Sequence, residues 1–193
     1  MSEIGFVSVL TVCIPYRHKD ARFYDPLIQQ LHAYAKNYPV EFMSLPNDGS
    51  RSIGDYRQQL LDNTQTPYIV FIDADDQVNA RYFELVFEGL AQGVDCVGFR
   101  GLITTDGRNP HVFEHSVDHT KWFEKRKNGR VEYFRPINHL NPIKTDIARQ
   151  IGYSDLKHGE DFDYSMRLSK SGLIKSSYFV PETIYYYRYR SRK

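Results

Sequence analysis

Short unbroken apolar runs alternate along this chain with stretches in which apolar residues recur every third or fourth position. The clearest run, Tyr68-Ile69-Val70-Phe71-Ile72, leads directly into Asp73, Asp75 and Asp76. A continuous β-branched and aromatic run reads as a strand covered on both faces, as in a largely parallel sheet. Phe6–Pro15 reads the same way through Val7, Val9, Leu10, Val12 and Ile14, and so does Val40–Leu45. Between these two, Leu27, Leu31, Tyr34, Ala35 and Tyr38 keep helical spacing, with a start predicted at Asp25-Pro26 and a stop at Pro39. Ser52 and Asp55 have capping-box spacing ahead of Tyr56, Leu60 and Leu61, the apolar face of a second helix. The order β-α-β-α-β within the first 76 residues predicts a Rossmann-like α/β half.

Beyond the acids, Asn79 is placed to cap a helix carrying Tyr82, Phe83, Val86, Phe87 and Leu90, closed by Gly93. Cys96–Ile103 predicts another strand. Thr104–Asn138 is polar, basic and irregular, and reads as a long loop of the kind that carries function or folds over a site. In it Trp122, Phe123, Tyr133 and Phe134 alternate with Lys121, Lys125, Arg126, Lys127 and Arg130, as suits either stacking on an acceptor sugar or covering the core. His111, His115 and His119 recur every four residues, a zinc-like spacing on a helix, but the segment has no other helical signal and a lid or acceptor-contacting role fits better. Helices follow at Thr145–Ile151, ended by Gly152, and at Glu160–Ser171, with acids in its first turn and Gly172 as terminator. A Tyr-rich strand, Phe179–Tyr189, comes last.

At 193 residues the chain fits one domain with a substantial core. Its 25 Lys and Arg against 24 Asp and Glu give no overall pull toward nucleic acid or membrane, segment 121–130 being a local basic exception. Fifteen tyrosines favour a polar-ligand cleft. Cys13 and Cys96 sit in apolar runs and read as small buried hydrophobes, which fits a reducing compartment. With no apolar run near the roughly 20 residues that span a bilayer, a soluble, cytoplasmic protein is expected.

Three predicted strand ends are polar: Tyr16-Arg17, Asn47-Asp48-Gly49-Ser50 and Asp73-Ala74-Asp75-Asp76. Parallel strands would bring them to one rim, where open α/β sheets bind ligands. Carboxylates at the end of a buried strand are costly without compensation, and hard oxygen ligands suit Mg²⁺ or Mn²⁺. An acid, a base and a cation at one rim suit a nucleotide diphosphate.

The run Val9–Tyr16, then Asn47-Asp48-Gly49-Ser50, Tyr56-Arg57, Ile69–Asp76, Gly159-Glu160-Asp161-Phe162-Asp163 through Arg167-Leu168, and Val180–Arg188, resembles the inverting, metal-dependent glycosyltransferases of family two. The likeness covers most of the chain except roughly residues 104–136. It implies a single α/β domain of GT-A (Rossmann-like) fold over residues 1–193, with a mostly parallel central sheet and helices on both faces. Residues 1–103 would form the nucleotide-sugar half and 104–193 the acceptor and catalytic half. It further implies transfer from a nucleotide-diphosphate sugar, a UDP-sugar by preference, to the hydroxyl of a glycan or other acceptor.

By the same resemblance Asp48 contacts the base, and Pro15, Tyr16, Arg17, Arg57 and Glu160 line the nucleotide-sugar pocket. Asp73, Ala74 and Asp75 form a DXD motif, Asp73 near ribose and metal and Asp75 on the Mn²⁺ or Mg²⁺ that bridges the diphosphate. Asp161, after Glu160, takes the place of the catalytic base, with His139 and His158 flanking the acceptor side. An acid in a helix's first turn has its charge stabilised, which lowers its basicity, whereas partial burial raises it. The chain departs from the family at Asn47, where an acid is usual, and at Arg190, where a metal-binding His is usual. A nucleotidyltransferase is the first alternative, but Pro15-Tyr16-Arg17-His18 lacks a glycine-rich phosphate loop. A non-catalytic nucleotide- or carbohydrate-binding module is the second. The chain is expected to be either a minimal soluble transferase or one domain of a longer polypeptide.

Overall fold

A computed structural model gives the fold; it describes residues 7–17 and 21–191, without the side chains of residues 17, 46, 47 and 127. Phe6 of the first run and the loop residues His18 and Lys19 lie outside the described residues. The first half holds β1 (Leu10–Cys13), β2 (Tyr16–Arg17), α1 (Ala21–Ala35), β3 (Val40–Met43), β4 (Pro46–Asn47), α2 (Ile53–Asn63), β5 (Tyr68–Phe71), β6 (Gln77–Val78) and α3 (Tyr82–Leu90). The second holds β7 (Cys96–Thr105), β8 (Arg108–His115), β9 (Phe123–Lys127), β10 (Arg130–Arg135), β11 (Ile143–Lys144), α4 (Thr145–Ile151), α5 (Glu160–Ser171) and β12 (Ser177–Tyr189).

β3, β1 and β5 lie side by side in parallel. The short β11 is wedged antiparallel between β5 and β7, so β7 points the same way as β5, and β12 runs parallel to β7. The carboxyl ends of these five longer strands therefore share one rim. β8, β10 and β9 extend the sheet, which is mixed: a single α/β domain of GT-A type. Among the described residues no helix is long and apolar enough to cross a membrane.

The strands' side chains sort by the alternation that a pleat imposes. Leu10, Val12 and Ile14 join Tyr68, Val70 and Ile72 in one core with Leu27 and Leu31 of α1 and Phe83 and Val86 of α3. Cys13, Ile69 and Phe71 join the opposite core with Tyr56 and Leu60 of α2, Ile147 of α4, and Tyr164 and Leu168 of α5. Both faces are covered, which is why the runs are almost wholly apolar; Thr11, the polar residue buried in β1, is hydrogen-bonded to Glu41 and Thr66. Cys13 and Cys96 are both buried and free, and burial pushes each thiol up to about 12.

Two expectations are corrected. α1 begins at Ala21, with Asp25 and Pro26 inside it. Pro26 costs the bond its missing N–H would make one turn back and the clash of its ring with the Arg22 carbonyl, and the buried face of Leu27, Leu31 and Ala35 outweighs that loss. Thr104–Asn138 is mostly strand, not irregular loop: β8, β9 and β10 fall within it. Asp106-Gly107 and Asn128-Gly129 both have positive φ at both residues (51° and 73°; 50° and 75°), as two-residue hairpin turns require. The histidine triplet accordingly does not form one helix face: His111 meets the Val131 carbonyl, His115 meets Asn141 and His119 meets Glu114.

α2 is seated on the site by its first turn. Ser52 Oγ accepts from the Asp55 N–H at 3.0 Å and donates to the Asp155 carboxylate. The Gly54 N–H donates to the Leu156 carbonyl at 3.1 Å, and a Cβ at Gly54 would stand 1.9 Å from the Ser154 carbonyl oxygen. Gly54→Ala should therefore lower stability by about 1–3 kcal/mol through forced separation of two backbones, measured by urea unfolding. A wild-type midpoint would show that the loop at 154–156 yields freely.

Candidate active site

The carboxyl-end rim opens on a cleft of about 900 Å³. Pro15 and Tyr16 line it after β1, Gly49 to Ile53 lead it into α2, and Asp73, Ala74 and Asp75 follow β5. Arg135, Asn138 and His139 come from the end of β10 and beyond, Lys157 to Asp161 from the start of α5, and Tyr187, Tyr189 and Arg190 from the end of β12.

At its floor is Arg57, only 3 % exposed. Its Nη2 donates to Asp73 Oδ1 at 2.8 Å and its Nε to Glu160 Oε1 at 3.3 Å. Its guanidinium also stands 5.3 Å over the Phe71 ring. Burial makes the Arg57 charge costly, but the Asp73 and Glu160 charges more than offset it and raise the guanidinium above its usual range. The reverse holds for Asp73: burial would raise its carboxyl, and Arg57, then His139, bring it well below the usual carboxylate range. His139 Nε2 lies 3.5 Å from Asp73 Oδ2, and among the described residues neither ring nitrogen has a hydrogen-bond partner, nor has Arg57 Nη1.

The acids after β5 divide by direction. Asp76 is buried, accepting from the Tyr185 hydroxyl at 2.7 Å and the Arg188 N–H at 2.8 Å. Burial, then the neighbouring Asp73 charge, pushes its carboxyl well above the usual range. It ties the strand end to β12. Asp75 turns outward with its side chain 42 % exposed, 3.8 Å from Arg190 Nε. Arg190 in turn lies 3.6 Å over the Phe23 ring.

The same division recurs at α5. Gly159, at φ 79°, turns the chain into the helix. Glu160 is buried against Arg57, whereas Asp161 is half-buried on the cleft, its Oδ1 accepting from the Phe162 N–H at 2.8 Å. Tyr187 is the cleft group that feels these acids: burial, then the charges of Asp73, Asp76 and Asp161, raise its phenol.

The expected donor-site residues Pro15, Tyr16, Arg57, Asp73, Ala74, Asp75 and Glu160 and the expected base Asp161 thus meet at one cleft. Tyr16 stacks on Tyr24 with centroids 4.2 Å apart. Asp48 does not line the cleft; it closes a local turn by accepting from the Ser50 N–H at 2.8 Å, and hydrogen bonds from the Ser50 side chain, then its backbone, lower its carboxyl. The Arg17 side chain lies outside the described residues. Arg135, Asn138 and Tyr187 were not singled out from the sequence, and His139 was singled out by resemblance alone. The sequence signal for Arg135 is Asn128-Gly129, whose hairpin sets where β10 begins and its register against β9, from Arg130 opposite Lys127 to Phe134 opposite Phe123.

Among the described residues no three His, Cys, Asp or Glu side chains are grouped to hold a metal. Asp73 and Asp75 alone do not fit a closed metal cage. They do fit a hard cation that keeps its waters and takes one or two carboxylates together with phosphate oxygens.

Residues 20–152 match the model for glycosyl transferase family 2. The chain belongs to this family. The matched span holds Arg57, Asp73 and Asp75 but ends before Glu160 and Asp161. No curated protein sequence matches the chain. The fold is similar to that of S. aureus TarS 1-349 in complex with UDP-GlcNAc, with a TM-score of 0.62 at 14% identity, covering 96% of this chain and 60% of that one. For TarS 1-349 in complex with UDP the TM-score is 0.60 at 14% identity, over 93% of this chain and 60% of that one. Against the S. aureus TarS crystal structure the TM-score is 0.61 at 14% identity, and the chain covers 93% of its own length and 36% of that chain. This family-2 chain thus spans about three-fifths of those TarS fragments and about a third of that longer TarS chain.

Arg57→Met would strand Asp73 and Glu160 without their buried partner and should cost about 3–5 kcal/mol at neutral pH. Asp73 ionises more readily folded than unfolded, so its stabilisation is present above the unfolded value of about 3.9 and is lost as pH falls through the folded one. The gap between wild type and Arg57→Met in urea unfolding should therefore be widest above pH ~4 and narrow toward pH ~3. A gap independent of pH would mean that Arg57 stabilises by packing alone.

Proposed function

We propose that this chain transfers a sugar from a nucleotide-diphosphate sugar, a UDP-sugar by preference, to an acceptor hydroxyl with inversion at the anomeric carbon. The observation that carries this reading is the meeting, at one cleft of a family-2 glycosyltransferase, of Asp73 and Asp75 from the end of β5 with Asp161 from the start of α5. The UDP-GlcNAc and UDP complexes of TarS, a protein of similar fold, support the choice of donor.

In this reading Asp161 accepts the proton of the acceptor hydroxyl as its oxygen bonds to the anomeric carbon, and the bond to the diphosphate breaks with its electron pair leaving on the diphosphate. A single displacement inverts the centre. Asp161 suits the task because it is only half-buried and held by a backbone N–H, open to the cleft. Asp75, with Asp73 behind it, would hold a Mn²⁺ or Mg²⁺ ion, which when bound supplies charge neutralisation for the departing diphosphate. Arg57 and Glu160 act behind these groups, fixing the Asp73 strand end to the Asp161 helix. Tyr16 would line the nucleotide side of the cleft and Arg190 its diphosphate side, while Asp48 would reach the base from the rim once its turn to Ser50 opened.

Asp161→Asn should reduce transfer by about 10²–10⁴-fold while leaving donor affinity, read by calorimetric titration, unchanged. An equal loss of donor affinity would assign Asp161 to structure or to the cation instead. A thermal-shift panel of nucleotide sugars with and without Mn²⁺ should pick out one donor whose stabilisation depends on the ion, since a ligand that binds only the native state raises its melting temperature. Absence of a shift with any nucleotide would sink the proposal.

A further inference from the structure

Four arginines among the described residues line the cleft. Arg51 has a carboxylate at 3.6 Å, Arg57 at 2.8 Å and Arg190 at 3.8 Å; Arg135 has none within 4.0 Å among the described residues. Nor is Arg135 a solvated surface cation, since it is partly covered and its guanidinium faces rings, 4.2 Å from the Trp122 centroid and 5.8 Å from that of Tyr133. Burial makes its charge costly, which the nearby Tyr187 and Asp161 only partly relieve. A desolvated guanidinium that opens onto a ligand cleft without a carboxylate of its own is a recognition group for an anion.

Its place says which substrate. Trp122, beneath the guanidinium, packs edge-on against Phe162 at 5.3 Å and donates from Nε1 to Ser165 Oγ at 3.3 Å, both on α5. Phe162 directly follows Asp161 and is 49 % exposed; it and Trp122 stand outside the cleft lining, at the margin where Arg135 and Asp161 enter it. Asp73 and Asp75 are on the separate turn that follows β5. A ring set beside a cation suits a pyranose bearing a negative group: Arg135 covers one face of Trp122, which leaves the exposed Phe162 ring for the apolar sugar face and the arginine for the charge.

We propose that Arg135, Trp122 and Phe162 form an acceptor subsite selective for a sugar carrying a carboxylate or phosphate. The proposal rests on the glycosyltransferase reading, because it takes the Asp161 side of the cleft as the acceptor side. Without a cation, the cleft-facing carboxylate of Asp161 would repel such an acceptor, and Arg135, whose charge feels Asp161, is placed to offset it.

The chain has a single tryptophan, so Trp122 emission reports directly on this subsite. UDP-saturated wild type should show a saturable Trp122 change with glucuronate and with glucose 6-phosphate, at least about tenfold tighter than with glucose. Arg135→Gln should erase that preference and Arg135→Lys should restore part of it, while UDP affinity by calorimetry stays at the wild-type value in both. A stronger response to glucuronate than to glucose 6-phosphate, or the reverse, identifies the anion. Equal responses to all three sugars would overturn the proposal. So would equal losses for neutral and acidic sugars in Arg135→Gln, which would mark Arg135 as a prop for Trp122. Failure of wild type to bind UDP counts against the donor reading instead, and the acidic-sugar titration on UDP-free protein still tests the subsite.

Discussion

The site depends on one buried cation. Arg57 is enclosed between the sheet and α2, where an uncompensated charge would cost several kcal/mol. Its two carboxylate partners come from elements far apart in sequence, Asp73 after β5 and Glu160 at the start of α5. Satisfying one guanidinium therefore fixes the strand end that carries Asp75 against the helix that carries Asp161. The pairing need not add stability beyond what an apolar replacement would give; what it supplies is register between the two sides of a cleft.

Much of this arrangement was legible in the sequence, and the reason is physical. Strands covered on both faces are almost wholly apolar, so β1 and β5 stand out, and α4 and α5 end at Gly152 and Gly172, both at positive φ. The stretch from Thr104 misled because composition was weighed over turn chemistry: its strands are polar since they extend the sheet toward solvent, and only Asp106-Gly107 and Asn128-Gly129 announce them. α1 misled in the opposite way, because a strong local signal at Asp25-Pro26 yielded to burial of a whole helix face. Arg135 is hidden for a third reason. Its meaning lies in what it stands beside, and those neighbours are supplied by pairings across the sheet and packing against α5.

Electrostatics sharpen the division between inward and outward acids. Asp73 is held ionised by Arg57, whereas Asp76, three residues on, is pushed toward its neutral form by burial and by Asp73 itself. The two make opposite contributions to stability as pH changes: Asp73 stabilises more as pH rises through the carboxylate range, and Asp76 destabilises as pH rises above its unfolded value. What keeps Asp76 in place is the pair of donors from β12, Tyr185 and Arg188, which tie the acidic turn to the last strand. That strand then delivers Tyr187 and Arg190 to the cleft.

Adjacent acids therefore do different work, and an acidic motif read as a unit conceals it. Asp76 and Glu160 are spent inward on holding elements together, while Asp75 and Asp161 face the cleft beside them. In each pair the outward acid is aimed by the partners of the inward one. A substitution at an inward acid acts on both at once, through stability and through the direction its neighbour points, whereas a substitution at an outward acid leaves the frame intact. For that reason the chemistry of this cleft is tested most cleanly at Asp75 and Asp161, and its architecture at Arg57.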